Sequence, residues 1–127
     1  MEIHKSAEDY LETILRLHKQ NGAVRSIDIV ADMHFSKPSV SVAMKKLRES
    51  GHVQMDDNGL LTLTEEGMAV ASRIYERHQI LTLLLVRLGV DEATATEEAC
   101  RIEHDISDST FEKIKARFID DLGNCVY

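Results

Sequence analysis

The sequence predicts a mainly α-helical fold with a small β-hairpin: an N-terminal winged helix-turn-helix followed by a helical second domain. Three observations carry that prediction. Apolar residues recur at helical spacing through the first fifty residues, a short β-like stretch centred on Asp56-Asp57-Asn58-Gly59 interrupts them, and helical spacing then returns towards the end of the chain.

The elements follow in order. Tyr10, Leu11, Ile14, Leu15 and Leu17 form a helical stripe over Ala7–Lys19, with Ser6 as the expected N-cap and Asn21-Gly22 as the stop. A second short helix is expected from Ser26, also read as an N-cap, through Ile27, Ile29, Val30 and Met33. A third runs from Lys37 to Glu49. Ser36 caps it, Pro38 falls in the first turn where a helix tolerates proline, and Gly51 closes it. Val53-Gln54-Met55 and Leu60-Leu61-Thr62-Leu63 then read as two strands joined by an Asn-Gly turn. Thr64 should cap a long helix reaching about Leu88, with Glu65 and Glu66 complementing its N-terminal dipole. Asp91 starts a helix through Ala99, Cys100 and His104, and Ser107 caps the last, whose apolar side is Phe111, Ile114, Phe118 and Ile119. The expected domains are 1–64 and 65–127.

Composition narrows the function. The 127 residues contain no apolar run long enough to span a membrane and no signal-peptide pattern, so a cytoplasmic protein is expected. With two cysteines, Cys100 and Cys125, free thiols are expected rather than a disulfide, and Cys125 receives no role. Net charge is −7, but it is unevenly spread: residues 1–64 hold 8 cations against 9 acids, and residues 65–127 hold 7 against 13. An acidic total argues against nucleic-acid binding by the whole surface. Residues 33–48, however, carry Lys37, Lys45, Lys46 and Arg48 without an acid.

That basic segment coincides with the third helix. In a winged helix-turn-helix this element lies in the DNA major groove with its N-terminal residues at the base edges, while the wing reaches the backbone. Ser36, Lys37, Pro38, Ser39 and Ser41 stand at its start, where exposed N–H groups also favour phosphate, and Lys45 and Lys46 are the expected phosphate contacts. Val40, Met44 and Leu47 supply the buried face. Winged helices also bind proteins, so the fold alone leaves the partner open.

Cys100, Glu103 and His104 place three metal-donor types at i, i+3 and i+4, on one face of a helix. Asp9 and Glu12 on the first helix and His78 on the long helix are further candidates. Each has an ordinary explanation too: early acids complement the helix dipole, and single histidines often pack or sit at the surface. A zinc enzyme built on the Cys-Glu-His run would need a substrate cleft, and no Gly-rich phosphate loop or other catalytic signature is present, so no enzyme is expected. A metal-independent winged-helix regulator, with that run as plain structure, is the alternative.

Five motifs in order resemble the DtxR/MntR family of metal-dependent transcriptional repressors across nearly the whole chain. They are Ser-Ala-Glu-Asp-Tyr-Leu-Glu-Thr-Ile at 6–14, Ser-Lys-Pro-Ser-Val-Ser at 36–41, Gly-Leu-Leu-Thr-Leu-Thr-Glu-Glu-Gly at 59–67, Arg77-His78, and Glu-Ala-Cys-Arg-Ile-Glu-His at 98–104. The resemblance implies a homodimer that binds operator DNA when loaded with Fe²⁺ or Mn²⁺. It implies metal ligation by Asp9, Glu12, His78, Cys100, Glu103 and His104. Asp9 and Glu12 match the manganese-type branch, Cys100 matches the iron type, and the other three match both, so the set is a hybrid. Thr82 and Thr96 stand where the iron type has ancillary-site ligands, which puts that site in doubt; one or two ions on the six donors remain. The end at Tyr127 implies a two-domain short form without the SH3-like third domain. Thiolate chemistry tilts the expected metal towards Fe²⁺, because Mn²⁺ prefers carboxylate, imidazole and water. Finally, Ile80, Leu81, Leu83, Leu84, Leu85, Val86 and Leu88 make the end of the long helix apolar nearly all round, which points to a second copy as its cover, the alternative being a central helix surrounded within the monomer.

Overall fold

The computed structural model describes residues 5–123, with six helices and one two-stranded antiparallel sheet. Cys125 lies outside the described residues, as does the side chain of Ile119. The elements are α1 (Lys5–Asn21), α2 (Ser26–Met33), α3 (Lys37–Glu49), β1 (Val53–Met55), β2 (Leu61–Leu63), α4 (Glu65–Arg87), α5 (Glu92–Ile102) and α6 (Asp108–Gly123). Two compact units divide between Tyr75 and Glu76, inside α4.

The first unit is built around the inner stripes of its helices. Leu11 and Ile14 from α1, Ile29 from α2, Val40 and Met44 from α3, Val53 and Leu61 from the hairpin and Ala71 from α4 are almost wholly buried and share one core. Removing the Met44 side chain from such a core costs about 2–5 kcal/mol. Arg16 reinforces the α1–α2 contact through a bidentate pair with Asp32, at 3.1 and 2.5 Å. That carboxylate holds the Arg16 guanidinium above its ordinary pKa.

Ser36 caps α3 as its position before Lys37-Pro38 predicts, accepting the Ser39 N–H at 3.2 Å. The α1 and α2 caps differ from expectation. Helix α1 already includes Lys5, so Ser6 is inside it rather than at its N-cap. Arg25 is the N-cap position of α2, and Ser26 is its first helical residue. Asp28 reaches back to accept the Arg25 N–H at 2.8 Å, so the first-turn acid ties down the backbone of the N-cap residue itself, the half of a capping box that an N3 acid supplies.

The hairpin pairs Val53 with Leu63 and Met55 with Leu61. Its turn is not the two-residue Asn-Gly type. Asp56 and Leu60 close it through the Asp56 N–H to Leu60 carbonyl bond at 3.0 Å, leaving three residues between them. Only Gly59 among those three has positive φ, at 81°. This is the longer hairpin loop in which a left-handed glycine follows an ordinary turn. Asp56 Oδ1 sets the length by accepting the N–H groups of both Asn58 and Leu60 at 2.9 Å.

Thr64 caps α4 by accepting the Gly67 N–H at 3.1 Å, and its own hydroxyl donates to the Gly51 carbonyl at 2.6 Å. At Gly67 the helix runs against the hairpin: a Cβ there would stand 2.0 Å from the His52 carbonyl oxygen. The second unit packs Leu81, Ala95, Ala99, Phe111 and Phe118 inward. Asp91 caps α5 through the Thr94 N–H at 3.0 Å, and Ser107 caps α6 through the Thr110 N–H at 3.1 Å.

Candidate functional site

In the first unit, α3 presents its polar residues to solvent while Val40, Met44 and Leu47 are buried. Ser36, Lys37, Pro38, Ser39, Ser41, Lys45 and Lys46 are all exposed. Ser36 Oγ also accepts from or donates to Ser39 Oγ at 2.8 Å, so the two hydroxyls form one polar corner at the helix start. The surface fits a polyanion. Sequence reading missed Arg25. Residues 53–63 of the wing contain no cation and two acids, Asp56 and Asp57, which repel phosphate. Arg25 supplies the positive charge there, its Nε donating to the Asn58 carbonyl at 3.3 Å. Nothing in local sequence marks that contact, which spans 33 positions.

Asp9 and Glu12 are half-buried residues of α1 in the first unit. The other four donors belong to the second unit, and there the geometry centres on Glu103. Its side chain is fully buried, with Oε2 at 2.9 Å from His78 Nδ1 and Oε1 at 3.3 Å from His104 Nε2. The His104 side chain is only 2% exposed. A carboxylate removed from water between two imidazoles is costly unless a charge compensates it, and this donor set suits a divalent transition metal. Cys100 lies on the exposed side of the last turn of α5.

The helix expected to run through His104 is shorter, although donor atoms of Cys100 and Glu103 still lie within 4.8 Å of each other. Helix α5 ends at Ile102, Glu103 is its C-cap, and His104 lies in the turn that follows. Arg77 explains the stop. Its guanidinium is almost wholly buried, and Nη1 donates to the Glu103 carbonyl at 3.0 Å and the Ile106 carbonyl at 2.8 Å. Nη2 pairs with Asp108, and the group lies 5.1 Å over the Phe111 ring. One arginine on α4 thus satisfies carbonyls at the end of α5 and draws the chain into the turn. Thr96 spends its hydroxyl on the Glu92 carbonyl at 2.9 Å, as an ordinary helical threonine does.

Both halves of the chain match known domains. Residues 2–61 match the N-terminal DNA-binding domain of the iron-dependent repressors, and residues 64–125 match their metal-binding and dimerisation domain. The chain belongs to the iron-dependent repressor family. This places it among metal-dependent transcriptional repressors and within the DtxR/MntR group that its motifs resemble. The helix-turn-helix-type transcriptional regulator MJ0568 of Methanocaldococcus jannaschii is 36% identical over 113 residues, which cover 87% of this chain and 90% of that protein. The transcriptional regulator MntR of Escherichia coli is 33% identical over 108 residues, covering 85% and 70%. The solved structure of the manganese regulator SloR superposes with a TM-score of 0.76 at 30% identity, over 94% of this chain. This family member spans about half the length of that structure, 55%. The family consists of regulators rather than enzymes, and among the described residues no helix is long and apolar enough to cross a membrane.

Proposed function

We propose that this member of the repressor family is a cytoplasmic, non-enzymatic regulator that binds operator DNA as a homodimer when loaded with Fe²⁺ or Mn²⁺. The observation that carries the reading is Glu103, a fully buried carboxylate held against His78 and His104. Asp9 and Glu12 complete the ligand set with His78, Cys100, Glu103 and His104. The ion supplies the positive charge that offsets repulsion among the carboxylates. Because Asp9 and Glu12 sit on the first helix of the DNA-binding unit, ligation by all six residues restrains that unit and fixes the two recognition helices of a dimer at the spacing of a palindromic site. Ser36, Lys37, Pro38, Ser39 and Ser41 then meet bases and phosphates, and Lys45 and Lys46 meet phosphates. The Cys100 thiolate favours Fe²⁺ over Mn²⁺.

The homodimer is supported by the second unit's match to a dimerisation domain and by Leu83, Val86 and Leu88, which are 52%, 39% and 73% exposed in the single chain. Titrating Fe²⁺ under anaerobic conditions, and Mn²⁺ separately, against duplexes selected from a random DNA pool tests the proposal. DNA affinity should rise with metal, fall on chelation, and lose its metal response in a D9A/E12A double variant. Equal affinity with and without metal would sink the reading.

A further inference from the structure

We propose that Val42 reads thymine, by packing its methyl groups against the base's 5-methyl group in the major groove. The proposal rests on reading α3 as the helix that enters that groove.

Val42 is 54% exposed, whereas Val40, Met44 and Leu47 of the same helix are buried. At helical spacing it is flanked by Ser39 and Lys46, so it stands in the middle of the polar face rather than at the edge of the core. Its neighbours on that face are hydroxyls and cations, none of which covers it. Helix formation does not explain the choice either: valine is a poorer helix former than lysine, glutamine or alanine, because its branched β-carbon loses rotamer freedom. An exposed valine therefore contributes little to α3 itself.

The chemistry of the face points to what it meets. Guanine is read by Arg or Lys and adenine by Asn or Gln, and of these, residues 37–44 hold only Lys37, at the very start of the helix. The distinctive apolar feature of the major groove is the thymine methyl, which small apolar side chains contact. Ser39 and Ser41 discriminate little, since serine bonds to either kind of base edge. Sequence preference through the middle of α3 then falls to Val42, and half-sites should carry thymine where it lands.

The test uses metal-loaded full-length protein and duplexes selected from a random pool. Each thymine of a selected half-site is replaced in turn by deoxyuridine, which removes only the methyl group. At one or two positions affinity should drop roughly fourfold, the worth of burying about one methyl group. V42A should bind the parent duplex more weakly by a similar factor and become indifferent to deoxyuridine at those positions, while melting like the wild type. A deoxyuridine penalty that persists in V42A, or no penalty at any position, overturns the assignment to Val42 while leaving DNA binding by α3 intact. If no duplex can be selected at all, the DNA reading of α3 fails and the proposal falls with it.

Discussion

Arg77 Nη1 donates to the carbonyl of Glu103 at 3.0 Å, while the carboxylate of the same Glu103 meets His78, the residue next to Arg77. The arginine thus fixes the backbone of the residue whose side chain its neighbour touches. Replacing it with alanine leaves two carbonyls without their donor, a loss of about 1–3 kcal/mol for a buried polar group, which thermal denaturation would read. Metal affinity should fall by about 10–100-fold, the usual effect of removing a group that orients a ligand. Arg77→Lys keeps the charge but not the fork, so it should recover stability better than affinity in a Co²⁺ titration followed by its visible spectrum.

Leu83 is half-exposed near the end of α4. If a second copy covers it, Leu83→Glu places a charge in that interface. Dimerisation should weaken by about 2 kcal/mol or more, roughly thirtyfold, as for the loss of an interface hot spot. Sedimentation velocity over a concentration series checks this, with the far-ultraviolet spectrum expected to be unchanged.

Cys100 brings the set's only thiolate. Cys100→Glu should lower affinity for Co²⁺ and Fe²⁺ relative to Mn²⁺, because oxygen donors suit the harder ion. Competition titrations on wild type and variant measure the reversal. Loss of sulfur-to-metal charge-transfer absorption in the Co²⁺ form would confirm which ligand was removed.

Asp91 gives a pH signature. The Thr94 N–H bonds its carboxylate at the start of α5 and holds the group below the ordinary value of 3.8. A depressed folded value means the stabilisation is complete above the unfolded value and is lost as pH falls through the folded one. Asp91→Ser keeps a neutral cap that does not titrate. Its melting temperature should stay close to the wild type's near neutrality and decline less below about pH 4, where carboxylates begin to protonate.

The local signals in the sequence were the readable ones. Ser36 before Lys37-Pro38, Thr64 before Glu65-Glu66, Asp91 and Ser107 each lie within three residues of the N–H they cap, so helix starts follow from neighbours alone. Ser6 has the same chemistry, but α1 already includes Lys5, and a residue inside a helix cannot cap it. The end of α5 depends on Arg77, 26 positions earlier. The wing turn depends on the Asp56 carboxylate rather than on the Asn-Gly pair alone. The candidate site divides in the same way. Donor types were legible as Cys, Glu and His, whereas the Glu103–His78 contact joins residues 25 apart and exists only after folding.

Gly67 leaves no room for a side chain. With the His52 carbonyl oxygen only 2.0 Å from where a β-carbon would sit, the obstacle is backbone, which cannot swing aside as a side chain can. Position 67 therefore has an alphabet of one letter. Even alanine, the mildest change, would pry the first turn of α4 from the hairpin, so in a saturation library this buried-backbone glycine should tolerate fewer substitutions than any surface lysine of α3.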